Sequence, residues 1–230
     1  MDTIDKIKSR NELADFLDIP RKKLSYILYI KGVDDLYTSF EIPKKSGGFR
    51  HIYAPQKDLK VIQRKLAEAL YNYQKEIWNK CNINPNISHA FQKEKSFITN
   101  AKIHRNKRFV INIDLENFFD SFHFGRVRGY FLKDRSFQLP SEVATVIAQL
   151  TCYQGKLPQG APTSPIITNL ICNIFDVRIS KLAKKYRLDY TRYVDDLTFS
   201  TNNKEFLNIK NIFLEELEKE IINAGDRKST

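Results

Sequence analysis

The sequence predicts an α+β fold, in which helices and antiparallel strand pairs mix without a regular order. Two hairpin patterns, at residues 40–54 and 188–200, are separated by segments whose apolar residues recur at helical spacing. This order differs from the strict strand, helix, strand alternation of parallel sheets. The 230 residues are 42% hydrophobic and 12% aromatic, enough to fill the core of one large domain or two small ones.

The first half of the chain predicts short helices, a basic hairpin and one long helix. Residues 3–31 are expected to form two short helices separated at Pro20, and residues 40–54 two strands joined by a Gly-Gly turn. A long amphipathic helix is expected after Pro55. Its apolar residues at helical spacing are Leu59, Ile62, Leu66, Leu70, Tyr73 and Ile77.

The second half begins with a strand at residues 108–114, whose apolar and polar residues alternate and which Asp114 ends. A helix is expected at about 141–150, followed by a loop rich in proline and glycine. Ser164 and Pro165 predict the N-cap and first position of the next helix. The apolar side of that helix is predicted to carry Ile167, Leu170, Ile171, Ile174, Val177 and Leu182.

The second hairpin and one more helix complete the predicted order. Residues 188–193 and 197–200 are rich in strand formers and surround Val194, Asp195 and Asp196. A last helix is expected at residues 204–223.

The net charge of +11 indicates a polyanionic partner. Basic clusters are often no more than solvated helix faces, but several clusters interleaved with Tyr and Phe favour nucleic acid. The clusters lie at residues 21–23, 44–45, 105–108 and 181–187.

Cysteine usage and hydropathy indicate a protein of the reducing cytoplasm without a membrane partner. Cys81, Cys152 and Cys172 are odd in number and widely spaced, which favours neither a disulfide framework nor a zinc site. The charged N-terminus has no apolar segment of the secretory type. The uncharged stretch 157–175 contains three prolines, which argue against a membrane span.

Two adjacent carboxylates, Asp195 and Asp196, interrupt the second hairpin. A hairpin tip lets both side chains approach one point, where a hard cation such as Mg²⁺ or Mn²⁺ would neutralise them. Asp114, at the end of another strand, would complete a site for two metal ions about 3.5–4 Å apart. Taken alone, an Asp-Asp pair is more often a polar turn, so the surrounding motifs decide.

Those motifs resemble the reverse transcriptases. FVINIDLENFFDSF at 109–122 looks like the first catalytic block, LPQGAPTSP at 157–165 like the loop that follows it, and YVDD at 193–196 like the catalytic hairpin. KKSGGFRHIYAP at 44–55 and LKVIQRKL at 59–66 are similar to the fingers region of retron enzymes and, less closely, of group II intron enzymes.

A further short motif is associated with retrons, since Asn100 to His104 match the pattern NAxxH. Val194 stands where retron enzymes usually carry alanine, a substitution that other reverse transcriptases tolerate and that bears on fidelity or primer fit.

The resemblance implies a right-hand polymerase with an antiparallel palm sheet flanked by helices. The expected division is an N-terminal helical segment at 1–35, fingers at 36–107, and a palm at 108–230 with a connecting loop at 151–165. No thumb is expected within this sequence.

The same resemblance assigns roles to individual residues. Asp114, Asp195 and Asp196 are the expected catalytic residues and ligands of two Mg²⁺ ions, with Mn²⁺ as an alternative. The expected dNTP contacts are Lys44, Arg50, Leu115, Phe119 and Gln159. The expected RNA or primer contacts are Asn100, His104 and Tyr193.

Some of these roles have a structural alternative. Phe119, five residues after Asp114, matches the aromatic gate that excludes a ribose 2′-OH, and its structural alternative is core packing with Phe118 and Phe122. His104 could be a satisfied histidine without RNA contact. Tyr190 could stack on the primer or pack within its strand.

The expected function is RNA-directed DNA synthesis of the retron type, which copies a structured RNA into single-stranded DNA that stays linked to it. Retron resemblance further implies dNTPs as substrates, a role in defence against phage, and an effector protein as partner. The alternatives are a group II intron-like or other defence reverse transcriptase, and a non-catalytic RNA-binding scaffold with a polymerase-like fold.

Overall fold

The computed structural model describes residues 3–44, 47–81 and 86–225. Its helices are α1 (Arg10–Phe16), α2 (Arg21–Tyr26), α3 (Lys57–Lys80), α4 (Phe97–Ile103), α5 (Phe124–Lys133), α6 (Ser141–Thr151), α7 (Ser164–Lys185) and α8 (Phe206–Gly225). Its strands are β1 (Tyr37–Pro43), β2 (Phe49–Pro55), β3 (Phe109–Asp114), β4 (Asp189–Tyr193) and β5 (Asp196–Thr201). The predicted α+β class is confirmed.

The chain divides into two compact units, each built from two separate stretches of sequence. Unit 1 comprises residues 1–83 and 119–168, and unit 2 comprises residues 84–118 and 169–230. The division into fingers and palm ranges stays a prediction.

Unit 1 contains the antiparallel hairpin of β1 and β2, in which Phe40 pairs with Ile52 and Ile42 with Arg50. Helix α3 follows this hairpin and buries the predicted apolar stripe, apart from the half-buried Ile77. The helical spacing of that stripe therefore identified the buried face correctly. Helices α5 and α6 pack against each other.

Unit 2 is built around a three-stranded antiparallel sheet in the order β3, β5, β4. One face of the sheet is apolar, and Tyr190 stacks on Phe199 there with ring centroids 5.0 Å apart. The core residues that accompany this pair are Phe175, Ile179, Leu182, Ala183, Tyr186, Leu188, Leu197, Phe206, Phe213 and Leu217. Tyr190 is therefore a core residue, and the packing alternative for it is correct.

Some sequence predictions need correction. Ile174 and Val177 are exposed, because this part of α7 turns Phe175 and Ile179 toward the core. Ser164 is the first residue of α7, and its hydroxyl donates to the carbonyl of Pro158.

Helices α4 and α5 were not predicted. Lys45 of the basic hairpin lies outside the described residues. Among the described residues, no helix is long and apolar enough to cross a membrane.

Candidate active site

Asp114 and Asp196 form the centre of the candidate site in unit 2. Asp114 is the last residue of β3, Asp196 is the first residue of β5, and the two are direct partners in the antiparallel register. Strand alternation places both on the face opposite to Leu197 and Phe199, and both side chains are exposed. Two carboxylates from distant parts of the sequence therefore lie side by side at one end of the strands.

Asp195 lies in the tight turn between β4 and β5, together with Val194. Val194 has a φ of 59°, in the left-handed region that a β-branched residue rarely adopts. The amide of Leu115 donates to the carbonyl of Asp195 over 3.1 Å. This bond ties the turn to the residue that follows Asp114.

The electrostatics of the pair suit a cation. The pKa of Asp196 is raised above its ordinary value, first by partial burial and second by the negative charge of Asp114. Carboxylate oxygens are the hard ligands that Mg²⁺ and Mn²⁺ prefer, and a cation would relieve the repulsion. Over residues 3–44, 47–81 and 86–225, no three His, Cys, Asp or Glu side chains form a group that could hold a metal ion. The three-aspartate ligand set therefore stays a prediction.

Tyr193 lies on the same face as the two carboxylates. It ends β4, pairs directly with Asp196 and is half-buried. Tyr193 thus lies next to the candidate site, and its role as a primer contact stays a prediction.

In unit 1, the predicted nucleotide loop packs against the basic hairpin. The amide of Tyr53 donates to the carbonyl of Gln159 over 2.7 Å. Gly160 has a φ of +115°, and a Cβ atom there would lie 2.7 Å from Ile52 Cγ2 and 2.9 Å from the carbonyl oxygen of Tyr53. Only glycine allows this close approach, so Gly160 holds Gln159 beside β2.

The predicted phosphate contacts on the hairpin are accessible. Arg50 and Lys44 are both exposed, and the amide of Lys44 donates to the carbonyl of Gly48 over 2.9 Å at the turn. Both positively charged side chains are therefore accessible to a ligand.

Burial separates the three phenylalanines that follow Asp114 in the first catalytic block. Phe118 and Phe122 are buried, whereas Phe119 is half-buried in a short 3₁₀ turn, Phe119–Ser121. This pattern favours Phe119 over its neighbours as the gate, which stays a prediction. Leu115 is half-buried and packs against the core of unit 2.

The structure gives the NAxxH motif a packing role. His104 is buried, and its two ring nitrogens each lie 2.7 Å from a hydroxyl, Nδ1 from Ser200 Oγ and Nε2 from Thr191 Oγ1. The hydroxyl of Thr191 also donates to the side chain of Asn100. These bonds fasten α4 to the sheet and favour the structural alternative for His104, so its proposed RNA contact gains no support.

Arg192 is a charged residue of this region that no sequence motif indicated. Arg192 is only 1% exposed and forms a buried ion pair with Asp176 of α7. The signals that could have found it are an arginine between strand formers and an aspartate inside an otherwise apolar helix.

Comparisons with known proteins agree with the motifs. A protein family described as "Reverse transcriptase (RNA-dependent DNA polymerase)" matches residues 42–230. The Retron Mx162 reverse transcriptase of Myxococcus xanthus is 33% identical over 217 residues, which cover 85% of this chain and 42% of that protein. The Retron Ec86 reverse transcriptase of Escherichia coli is 35% identical over 196 residues, which cover 84% of this chain and 58% of that protein. The chain thus spans about half the length of these curated relatives.

Proposed function

The chain belongs to the reverse transcriptase family, and on this premise we propose that it carries out RNA-directed DNA synthesis of the retron type. The observation that carries the proposal is the direct pairing of Asp114 with Asp196 at the exposed ends of two adjacent strands. Two like charges in directly opposed positions destabilise the sheet. A protein that only binds RNA would gain nothing from them.

In the proposed reaction, the terminal hydroxyl of a primer attacks the α-phosphorus of a dNTP. A phosphorus–oxygen bond forms to the primer as the hydroxyl proton passes to solvent, the bond from the α-phosphorus to the oxygen that bridges to the β-phosphate breaks, and pyrophosphate leaves. Asp114, Asp195 and Asp196 would hold two Mg²⁺ ions, or Mn²⁺ in their place. When bound, such ions stabilise the charge on the attacking and leaving oxygens.

The hairpin and its neighbouring loop would bind the nucleotide. Exposed Arg50 and Lys44 suit the triphosphate, because guanidinium and ammonium groups form charge-assisted hydrogen bonds with phosphate oxygens. Gln159, held beside β2, would contact the base or sugar. Leu115 and Phe119 would line the sugar, with Phe119 excluding the 2′-OH.

The template and partners follow from charge and family. A net charge of +11 favours a structured RNA and the RNA–DNA product. Tyr193 would stack near the primer end, and Asn100 would act by holding α4 in place. The retron type further implies a cytoplasmic role in phage defence with an effector protein.

Primer extension tests the proposal. An RNA template with an annealed primer, dNTPs and Mg²⁺ should give extended DNA, and Asp195→Asn or Asp196→Asn should abolish extension while RNA affinity is kept. Extension by both variants at the wild-type rate would rule out the aspartate site. RNA binding without extension by the wild-type chain would favour the alternative of a non-catalytic scaffold.

A further inference from the structure

Arg192 occupies a position where a charge is unfavourable unless the surrounding groups bond to it. It lies on β4 immediately before Tyr193, and strand alternation turns its side chain away from the aspartates and into unit 2. Its guanidinium is nevertheless hydrogen-bonded to the turn formed by Val194 and Asp195.

The guanidinium has partners on two sides. Nε donates to Asp176 Oδ1 over 2.9 Å and Nη2 donates to Asp176 Oδ2 over 2.8 Å, so the ion pair is bidentate. Nη1 donates over 2.9 Å to the carbonyl oxygen of Val194. The planar fork of arginine thus joins a carboxylate of α7 to the backbone of the turn.

Further bonds hold this fork in place. Nη2 also lies 3.2 Å from Asn169 Oδ1, and the hydroxyl of Tyr190 donates to Asp176 Oδ1 over 2.9 Å. The backbone of Arg192 is paired as well, since its amide donates to the carbonyl of Ile87 and its carbonyl accepts from the amide of His89, both over 2.9 Å. A residue anchored in this way forms a rigid support.

The backbone that Arg192 supports is strained at Val194. Val194 adopts a φ of 59°, a conformation that costs about 1–3 kcal/mol and persists only where its surroundings enforce it. The carbonyl that Arg192 binds belongs to the peptide between the two turn residues. In the mirror-image turn types, the orientation of this central peptide determines the φ of the second residue, here Asp195.

The turn is therefore fixed through two successive carbonyls. Arg192 binds the carbonyl of Val194, and the amide of Leu115 binds that of Asp195. The first bond comes from the buried side of the sheet and the second from the end of β3.

From these contacts we infer that Arg192 is a positioning residue, which orients the Val194–Asp195 peptide so that Asp195 and Asp196 together bind a divalent cation. The inference rests on the proposed function of the aspartates. It assigns to Arg192 a task beyond closing the ion pair with Asp176.

Arg192→Lys separates the two tasks. A lysine keeps the charge and can pair with Asp176, but its single ammonium cannot reproduce the fork that also reaches Val194. Tyr190→Phe is the matched control, since it removes a hydrogen bond from the same carboxylate and leaves the bond to Val194 intact.

The measurement is Mn²⁺ binding to the full chain, followed by electron paramagnetic resonance, with urea unfolding and RNA affinity recorded alongside. An Asp114→Asn/Asp196→Asn double variant gives the background binding. Arg192→Lys should weaken Mn²⁺ binding by about 10- to 100-fold, as supporting residues of metal sites typically do. Tyr190→Phe should bind Mn²⁺ as the wild type does, and RNA affinity should not change in either variant.

A second variant covers the case in which lysine prevents folding. Arg192→Met/Asp176→Asn removes both buried charges, a change that is often neutral for stability, and keeps an acceptor for Tyr190. It should fold and show the same loss of Mn²⁺ affinity.

Wild-type Mn²⁺ affinity in a folded Arg192 variant would overturn the inference. Unfolding of both Arg192 variants would overturn it as well, because Arg192 would then act on the whole fold. If the wild-type chain itself bound no Mn²⁺ above the background, the proposed metal site would fail instead.

Discussion

Asp114 and Asp196 face each other directly across strands β3 and β5. Like charges in directly opposed positions destabilise a sheet, and partial burial adds to the unfavourable energy of Asp196. The two charges therefore lower the stability of the fold, and the free energy of unfolding measures by how much.

The first prediction is that Asp196→Asn stabilises the metal-free chain at pH 7 in urea unfolding. The folded-state pKa of Asp196 is raised, so its ionisation lowers stability as pH rises through that pKa. Below the ordinary aspartate pKa of about 3.9, the carboxyl is protonated in both states and this effect vanishes. The advantage of the variant should therefore shrink as the pH is lowered from 7 toward 4.

Glu205→Gln provides the control, because it removes one exposed negative charge outside the sheet. Glu205→Gln should respond to added Mn²⁺ as the wild type does. Added Mn²⁺ should stabilise the wild type and not Asp196→Asn, since only a bound ligand shifts the unfolding equilibrium. A stability gain that is independent of both pH and Mn²⁺ would contradict the charge argument.

The second prediction concerns the contact of Gly160 with β2. Gly160→Ala places a methyl group 2.7 Å from Ile52 Cγ2, so the loop that carries Gln159 must move away from the hairpin. We expect a loss of about 1–3 kcal/mol in the free energy of unfolding from the steric conflict. Nucleotide incorporation should fall with a raised dNTP KM.

Gly155→Ala separates backbone strain from the clash. Gly155 also has a positive φ, +79°, but a Cβ atom there has no neighbour within 4 Å. This variant should lose about 1–2 kcal/mol from the left-handed conformation and keep its dNTP KM. Equal effects on KM in both variants would show that the loop position is not what matters.

The third prediction tests Phe119 as the sugar gate. Phe119→Ala should increase incorporation of rNTPs relative to dNTPs, because a shorter side chain leaves space for the 2′-OH. Phe122→Ala is the comparison, since Phe122 is buried and its loss should cost about 3–5 kcal/mol of stability without changing the ratio. An unchanged ratio in a destabilised Phe119→Ala would make Phe119 a packing residue only.

The sequence predicted those elements whose pattern is local. Helix α3 has apolar residues at helical spacing, and the alternation before Asp114 located the end of β3. Asp114 and Asp196 are paired between two strands that are far apart in sequence. Only the resemblance of the motifs predicted that they lie together.

The contacts that were missed depend on partners far apart in sequence. Arg192 can be buried because Asp176 offers a carboxylate from another element, and no local pattern reveals that pairing. For His104 the sequence leaves RNA contact and a satisfied histidine open, and the hydroxyls of Ser200 and Thr191 beside its two nitrogens favour the second. The sequence therefore predicts the location of polar residues less well than that of apolar ones.

The last prediction distinguishes packing from RNA contact at His104. His104→Ala leaves the hydroxyls of Ser200 and Thr191 without their imidazole partner, which should cost about 1–3 kcal/mol in urea unfolding. Burial lowers the pKa of His104, so wild-type stability should decline as pH falls from 7.5 through the ordinary histidine pKa of about 6.5. The variant should show a shallower decline over this range, and its RNA affinity should equal that of the wild type where both are folded. Lys102→Ala, on the exposed side of α4, is the control and should leave stability unchanged. A drop in RNA affinity at unchanged stability in His104→Ala would instead establish direct contact with RNA.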